Sequence, residues 1–168
     1  MSKSAPERPE GSGAKRVIAT VASLYNDKYV DALLEAAKGE LRDLLPEAAL
    51  PVFRVPGAYE IPVCATYVAR HAKPDAIIAL GVIIRGSTAH ADLVGESVTT
   101  SLQQLATEQE IPVIHEVLLV ENEQQAHDRC IGEGLNRGIE AARAAANMVE
   151  LFHKLKTTFP PEGDRHGD

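Results

Sequence analysis

Apolar residues recur along the chain at two spacings: in short β-branched runs, and in longer stretches with an apolar residue at every third or fourth position. The short runs predict four strands, at residues 16–23, 51–55, 75–84 and 112–120. The longer stretches predict helices at residues 29–45, 61–72, 92–109, 122–130 and 136–156. The third short run is apolar almost throughout, as expected for a strand that is covered on both faces.

Strands that alternate with helices predict βαβ units, and hence a parallel sheet with right-handed crossovers. We expect an α/β fold, a flavodoxin-like three-layer α/β/α sandwich whose four-stranded parallel sheet has the order 2-1-3-4. Residues 15–157 then form a single domain. Residues 1–14, which are rich in Pro, Gly, Ser and charge, and residues 158–168 are predicted to be a flexible N-terminal arm and a flexible C-terminal tail.

Composition narrows the classes of function. Aromatic residues make up only 4% of the chain and Trp is absent, so aliphatic residues and Ala must fill the core, which suits helices packed closely on a sheet. A net charge of −7 argues against general nucleic-acid binding. No segment resembles a signal peptide or a membrane span, which predicts a cytoplasmic protein without a membrane partner. Cys64 and Cys130 form neither a CxxC motif nor a secreted disulfide framework.

Ligands of such sheets bind beyond the carboxyl ends of the strands, near the point where the winding direction reverses. Three loops, at residues 24–27, 56–60 and 85–90, are predicted to meet at this place. Each of them carries polar or aromatic side chains. A binding site is therefore expected where the three loops come together.

The third of these loops reads RGSTAH and ends at His90. Gly86 lets a ligand approach the backbone, and Ser87 and Thr88 offer hydroxyl and N–H groups at the start of a helix, where an anion such as phosphate is favoured. An ordinary Ser/Thr helix cap is the alternative for the two hydroxyls. His90 is a candidate general acid/base, against the alternative of a surface histidine without a task. No third ligand accompanies the histidine and the nearby aspartate, so no metal is expected.

The second loop, in VPGAYEIP, displays an aromatic ring and a carboxylate together. Tyr59 and Glu60 are able to grip a planar, hydrogen-bonding heterocycle, and Tyr25 and Asn26 add a second ring and an amide at the same edge. The alternatives are a helix cap for Glu60 and an aromatic plug in a turn for the tyrosines.

Three residues beyond these loops are also candidates. Arg129 and Arg137 suit phosphate because a guanidinium forms forked, charge-assisted hydrogen bonds, although single arginines on helices are more often solvated charges. His115 interrupts an apolar strand. It is either a buried histidine with satisfied hydrogen bonds or a ring that stacks on a ligand.

Four segments resemble, in order and spacing, the signature segments of the lumazine synthases (6,7-dimethyl-8-ribityllumazine synthases). They read RVPGAYEIP, ALGVIIRGSTAH with the following ADLVGES, IPVIHEVLLVENEQQAHDR, and LNRGIEAARAAANM. The resemblance covers residues 16–152, and GAxEIP and GxxIRGxTxH at this separation are together highly specific. It implies an enzyme of riboflavin biosynthesis that condenses 5-amino-6-ribitylamino-uracil with 3,4-dihydroxy-2-butanone 4-phosphate. The reaction releases phosphate and water and needs no cofactor.

The resemblance also implies roles for individual residues. His90 would shuttle protons during imine formation, phosphate elimination and ring closure. Phosphate would be held by Gly86, Ser87, Thr88 and Arg129, with Arg137 as a further candidate. The pyrimidine and its ribityl chain would be bound by Tyr25, Asn26, Ala58, Tyr59, Glu60, Val82, Ile83, Ile84 and His115.

The chain departs from the family pattern at three positions. Tyr25 stands where Phe or Trp is usual, His115 stands where Phe or another apolar residue is usual, and Arg137 replaces a lysine. By resemblance, the active site lies between neighbouring subunits of a pentamer, and some members assemble twelve pentamers into an icosahedral shell of sixty subunits. The short CIGEGLNRG break resembles that of shell-forming members. The implied partners are two small-molecule substrates and further copies of the chain.

Two alternatives from other classes stand beside the enzyme. A shell or scaffold protein that kept the fold but lost the chemistry would assemble without turnover, and the changed residues His115 and Arg137 are its only support in the sequence. A flavodoxin-like binding or signalling module would be monomeric, but the acidic cluster of a receiver domain is absent from the sequence.

Overall fold

The computed structural model of the protein describes residues 7–132, 134 and 136–160. Its strands are β1 (Ile18–Ser23), β2 (Val52–Val55), β3 (Ala76–Ile84) and β4 (Val113–Val120). Its helices are α1 (Asp27–Leu44), α2 (Ile61–His71), α3 (His90–Gln109), α4 (Glu123–Cys130) and α5 (Arg137–Thr158). A 3₁₀ turn at Ala58–Glu60 precedes α2. Every predicted strand and helix is present, and the predicted bounds are displaced by small steps that are usual at element ends.

The strands form one parallel sheet in the order β2-β1-β3-β4, which confirms the predicted fold class and topology. β1 pairs with β2 on one side and with β3 on the other. The winding direction therefore reverses between β1 and β3, and the loops that follow these two strands flank the switch point. Since all strands run in the same direction, the loops after β1, β2 and β3 emerge at the same edge of the sheet.

Helices cover both faces of the sheet. Helices α1, α4 and α5 share one hydrophobic core with one face, and helices α2 and α3 share a second core with the other face. Successive residues of β3 point to opposite cores, Ile78 and Leu80 to the first, Ile77 and Ala79 to the second. All four side chains are fully buried. Burial on both faces explains the uninterrupted apolar run that predicted this strand.

Small residues allow α5 to lie close to α1 and the sheet. Four alanines of α5 are buried, Ala141, Ala142, Ala145 and Ala146. At Gly138 the two helices nearly touch, because a Cβ atom there would lie 2.2 Å from the backbone carbonyl oxygen of Leu33 on α1. The alanine-rich composition thus serves close helix packing. None of the helices in the described ranges combines the length and apolar composition needed to cross a membrane.

The chain before β1 runs along the carboxyl end of α1. The backbone N–H of Ser12 donates to the carbonyl oxygen of Leu44 at 2.8 Å. Arg8 and Arg143 both bind the carboxylate of Glu40, at 2.9 and 2.8 Å. Residues 1–6 of the predicted arm, residues 161–168 of the predicted tail and residues 133 and 135 of the CIGEGLNRG break lie outside the described residues. The arm, the tail and the domain boundaries remain predictions.

Candidate active site

A cavity of about 550 Å³ opens where the loops after β1, β2 and β3 meet. Nine of the predicted site residues line it: Tyr25, Asn26, Ala58, Tyr59, Glu60, Val82, Ile83, Ile84 and His90. Gly57, Leu93 and Val94 also line it, and sequence reasoning did not include them. A signal was available for Leu93 and Val94, since they follow His90 by three and four residues and so share its face of α3. The predicted meeting of three loops at the switch point is therefore present in the structure.

Asn26 joins the first loop to the end of β3. Its side-chain amide donates to the backbone carbonyl oxygen of Val82 at 2.7 Å. The residue has a left-handed backbone conformation, with φ 57° and ψ 40°, at the start of α1. The loop is also held to its neighbour, because the N–H of Tyr25 donates to the carbonyl oxygen of Pro56 at 3.0 Å. Asn26 is thus a structural link as well as a lining residue.

Tyr25 presents its ring at the rim of the cavity. The residue is 71% exposed, and its ring rests against Gly57 of the second loop. A Cβ atom at Gly57 would lie 3.0 Å from a ring carbon of Tyr25 and 3.0 Å from the carboxylate of Glu60. The glycine therefore leaves room for the ring, which is otherwise uncovered.

Glu60 stabilises the turn that carries it. Its Oε2 atom accepts a hydrogen bond from the backbone N–H of Gly57 at 2.8 Å, which closes the 3₁₀ turn before α2. This contact is the capping role that the sequence left open as an alternative. Tyr59, between the two residues, is 63% exposed at the mouth of the cavity. The second loop therefore offers an exposed ring beside a carboxylate that is partly committed to the backbone.

His90 is the first residue of α3 and is exposed to the cavity. The N-cap residue of this helix is Ala89, which has no side-chain oxygen to accept a hydrogen bond from the first-turn N–H groups. The nearest approach to a cap is a long contact of 3.4 Å from the N–H of His90 to the hydroxyl oxygen of Thr88. Backbone N–H groups at the start of α3 are consequently available to an anion.

The loop between β3 and α3 is tethered by Arg85. Its guanidinium pairs with Asp92 in the first turn of α3 and, at 3.1 Å, with Glu121 after β4. The following residues, Gly86, Ser87 and Thr88, are exposed. No described protein atom lies within 4 Å of a Cβ built at Gly86, so protein packing does not account for the glycine at this position.

Six predicted site residues do not line this cavity. Gly86, Ser87 and Thr88 lie in the loop just before α3, and the other three lie farther along the chain. His115 pairs with Ala79 in the sheet, three residues before Val82, and its ring contacts Thr99 of α3. Arg129 lies on α4, where it donates to the side chain of Gln125 at 3.3 Å. Arg137 begins α5, and its largely buried side chain pairs with that of Glu140. Within one chain the cavity therefore has the two exposed tyrosine rings and His90 on its wall, but neither Arg129 nor Arg137.

A second group of ionisable side chains lies on the face of β4 opposite to His115. Burial raises the pKa of Glu116 to about 7, Arg137 opposes the shift and Glu140 adds to it. Glu140 is itself buried, and within the described residues its Oε1 atom has no hydrogen-bond partner. Burial, with a contribution from Glu116, raises the pKa of the free thiol of Cys130 to about 11. This thiol stays protonated at neutral pH and is a packing residue.

The cavity combines rings, a strand end and a proton carrier beside a helix N-terminus. An arrangement of this kind suits a planar heterocycle next to an anion. In the part of the chain that the structure describes, no three His, Cys, Asp or Glu side chains lie together as a metal site requires. The imidazole and the walls of the cavity are suited to acid/base catalysis and to the positioning of bound reactants.

Comparisons with known proteins identify the family of this chain. The family model described as 6,7-dimethyl-8-ribityllumazine synthase matches residues 15–153. A relative of that name from Halorhodospira halophila is 40% identical over 139 residues, which are 82% of this chain and 89% of the relative. Relatives of the same name from Chlorobium chlorochromatii and Chlorobium limicola are 39% and 40% identical, over 89% and 87% of this chain and 98% and 96% of their own lengths. The chain therefore belongs to the 6,7-dimethyl-8-ribityllumazine synthase family, whose members are transferases of riboflavin biosynthesis.

Proposed function

We propose that this chain condenses 5-amino-6-ribitylamino-uracil with 3,4-dihydroxy-2-butanone 4-phosphate to form 6,7-dimethyl-8-ribityllumazine. Family membership supports the reaction. The observation that carries the site is the cavity in which Tyr25, the end of β3 and His90 face a common space. These three features match a planar substrate, its hydrogen-bonding edge and a group that moves protons.

The pyrimidine substrate is assigned to the wall formed by the first two loops and β3. The exposed ring of Tyr25 offers a face for stacking, and the backbone at Val82, Ile83 and Ile84 offers N–H and C=O groups for the uracil edge. The ribityl chain would extend toward Tyr59 and Glu60, and the second carboxylate oxygen of Glu60 is suited to accept hydrogen bonds from its hydroxyl groups. The fixed link between Asn26 and Val82 keeps these walls at a constant separation.

The phosphate of the second substrate is assigned to the start of α3. The N–H groups of an uncapped helix end and the hydroxyls of Ser87 and Thr88 are suited to phosphate oxygens. Gly86 leaves space for close approach to the backbone. A nearby positive charge is still required to balance the dianion, and Arg129 is the proposed source.

His90 is proposed to move protons between successive steps. The 5-amino group of the pyrimidine attacks the ketone carbon of the second substrate, and loss of water leaves an imine that joins the two substrates. Loss of a proton from the carbinol carbon and of phosphate from its neighbour leaves an enol, which becomes a ketone by proton transfer. The ribitylamino nitrogen attacks this ketone carbon, and loss of a second water closes the ring. Each step requires a proton to be taken up or released next to the reacting atoms, which an exposed imidazole at this position can do. Because the imine forms between the substrates, no enzyme lysine is needed.

Holding the two substrates side by side supplies much of the proposed rate acceleration. Positioning of two reactants lowers the activation free energy by about 7–11 kcal/mol in favourable cases. The cavity has walls for one substrate, and the start of α3 at its edge is the proposed place of the other. The role of His90 is then an additional factor and not the whole of catalysis.

We further infer that the complete site lies between neighbouring copies of the chain, in a pentamer. His115 and Arg129 do not reach the cavity within one chain, so a neighbour is the proposed source of both. Exposed apolar side chains support such a contact. Leu93 on the cavity wall is 65% exposed, and Val63 and Tyr67 of α2 are 70% and 67% exposed. Assembly of pentamers into a shell and a cytoplasmic location remain predictions of the sequence.

The reaction is tested with the purified protein and both substrates, by following the fluorescence of the lumazine product. We expect turnover well above the uncatalysed rate. His90→Ala should lower kcat by about a hundredfold, toward the smaller end of acid/base contributions because positioning is retained. His153→Ala, an exposed histidine of α5, is the matched control and should be unchanged. Rates equal to buffer in the unaltered protein would favour the catalytically lapsed shell.

The assignment of Arg129 has its own readout. Arg129→Ala should raise the KM of the phosphate substrate about tenfold or more, because a charge-assisted contact to phosphate is lost. The KM of the pyrimidine should not change. Arg42→Ala, which removes an exposed arginine from α1, is the control.

Sharing of the site between subunits is tested by mixing two impaired variants. His90→Ala and Arg129→Ala chains are unfolded, combined in equal amounts and refolded together. If each site takes His90 from one chain and Arg129 from its neighbour, random hybrids regain about a quarter of the unaltered activity, since that share of interfaces joins two intact contributions. If both residues act within one chain, every site keeps one lesion and the mixture gains nothing.

A further inference from the structure

His115 lies on the edge strand β4, on the face that packs against α3. Its Nε2 atom is 2.8 Å from the hydroxyl oxygen of Thr99 on α3. We infer that Thr99 is a positioning residue, which holds the His115 ring in one orientation and one tautomer for contact with the pyrimidine. This inference rests on the proposed function, in which His115 completes the site of a neighbouring chain.

The direction of the hydrogen bond follows from the second partner of Thr99. The same hydroxyl oxygen lies 2.8 Å from the backbone carbonyl oxygen of Gly95, one turn earlier in α3. A carbonyl oxygen only accepts, and the hydroxyl has a single proton, so this proton points to Gly95. Thr99 is left with a lone pair for His115. Nε2 therefore carries the ring proton, and Nδ1 of the neutral ring is unprotonated.

The surroundings favour the neutral form of this ring. Burial against α3 lowers the pKa of His115, and its own backbone opposes the shift only in part. A small hollow of about 190 Å³ lies beside the ring. Apart from His115 its lining residues carry no ionisable group; they are Thr99, Leu102, Gln103 and Val113. The carboxyl groups of α3 on this side, Asp92 and Glu96, line the next hollow toward the start of the helix. An uncharged, fixed ring at this position is a suitable stacking surface where the family usually has an apolar aromatic residue.

A second threonine of α3 provides a matched control. Thr107 also donates its hydroxyl proton to carbonyl oxygens of the preceding turn, those of Gln103 and Gln104 at 3.1 and 3.0 Å. Within the described part of the chain, these hydrogen bonds of Thr107 involve no histidine. Thr107→Val therefore removes the same kind of helix contact as Thr99→Val, without touching His115.

The test compares steady-state kinetics of the assembled protein. Thr99→Val should raise the KM of the pyrimidine about three- to tenfold, the usual effect of one lost neutral hydrogen bond, with kcat and the KM of the phosphate substrate unchanged. Thr99→Ser should restore the unaltered KM, and Thr107→Val should not change it. In a His115→Phe background, Thr99→Val should have no further effect, because the ring it positions is gone. An equal effect of Thr99→Val in both backgrounds, or no effect in either, would overturn the inference.

A pH profile adds a readout that a structural role alone would not move. Below its pKa the His115 ring is charged, and covering a charge with the pyrimidine is less favourable, so the KM of the pyrimidine should rise as the pH falls through this pKa. Thr99→Val should move this rise to lower pH, because the imidazolium loses an acceptor. His115→Phe should abolish it. A profile that is the same in all three proteins contradicts the inference.

Equilibrium dialysis with the pyrimidine alone separates this inference from the proposed function. A protein that binds the pyrimidine without turnover, and binds it more weakly in Thr99→Val than in Thr107→Val, retains the inference while the catalytic proposal fails. Turnover that is indifferent to His115→Phe and to Thr99→Val retains the function while the inference fails. A protein that neither turns over nor binds the pyrimidine overturns both.

Discussion

The side-chain amide of Asn26 donates a hydrogen bond of 2.7 Å to the backbone carbonyl oxygen of Val82. The two residues are 56 positions apart, and the bond joins the loop after β1 to the end of β3 on the wall of the cavity. Asn26 also has a left-handed backbone, which asparagine tolerates better than other residues with a Cβ atom. One side chain thus fixes the entry into α1 and the spacing of two cavity walls.

Two substitutions separate these contributions. Asn26→Gly removes the amide but suits the left-handed backbone, so it should lower the free energy of unfolding by about 1 kcal/mol, the value of one hydrogen bond. Asn26→Ala removes the amide and also strains the backbone, which should lower it by about 1 kcal/mol more. Urea denaturation at a fixed protomer concentration measures both values. Equal losses in the two variants would mean that the backbone conformation adds nothing.

Gly138 and Gly39 should respond oppositely to a methyl group. Gly138→Ala places a Cβ atom 2.2 Å from the backbone oxygen of Leu33, so α1 and α5 must separate and stability should fall by about 3 kcal/mol. Gly39 lies within α1, is exposed and has no atom within 4 Å of a Cβ position. Gly39→Ala should therefore stabilise the protein by about 0.5–1 kcal/mol. Thermal unfolding of the two variants checks the signs, and a stabilising Gly138→Ala would contradict the packing described.

Glu116 should make the protein less stable as the pH rises from about 4.5 to about 7. Its pKa in the folded protein is about 7, well above the reference value of 4.5, so the folded state holds the proton more tightly than the unfolded state. The resulting stabilisation is complete below pH 4.5 and is lost as the pH rises through 7, by up to about 3 kcal/mol. Glu116→Gln should remove this loss. Between pH 5 and pH 8 the free energy of unfolding of the variant should therefore rise relative to that of the unaltered protein, by an amount on this order. Urea denaturation across this range gives both curves, and parallel curves would assign the pH dependence elsewhere.

Gly57 and Gly86 should affect different substrates. Gly57→Ala brings a methyl group to 3.0 Å from the ring of Tyr25, so the ring must shift and the KM of the pyrimidine should rise about tenfold, as for a lost stacking contact. Gly86→Ala meets no described protein atom within 4 Å, so it should leave stability unchanged and raise the KM of the phosphate substrate instead, by obstructing its approach. Steady-state kinetics with each substrate varied in turn separate the two effects. Identical changes in both KM values for either variant would contradict the assigned walls.

The order of elements and the place of the site were predicted because both depend on local periodicity. β3 buries both faces, and an apolar run of that length is visible in the sequence without any knowledge of its partners. Alternating strands and helices then allow few topologies, and the switch point of the sheet selects the loops that face a ligand. Tyr25, Glu60 and His90 were accordingly identified from their positions after strands.

The relations between side chains of distant segments could not be read from the sequence. Whether Glu60 caps its own turn, whether Tyr25 rests on Gly57 and whether His115 bonds to Thr99 depend on how the loops and helices pack. His115 is an example. It pairs with Ala79, three residues before Val82, and therefore lies about 10 Å from the cavity end of the sheet. The alternation of side chains along β4 places it on the face that packs against α3. Arg129 is likewise not part of the cavity wall, and its helix α4 packs in the core shared with α1 and α5, on the sheet face opposite to α2 and α3.

The sequence by itself therefore determined the parallel sheet, its strand order and the three loops of the site, since hydrophobic spacing and turn residues act over a few neighbouring positions. The tertiary structure decided which of the predicted side chains share a cavity within one chain. That outcome depends on strand register, on the face of each helix and on contacts as close as that of Gly138 with Leu33, all of which are set by packing between segments far apart in the chain.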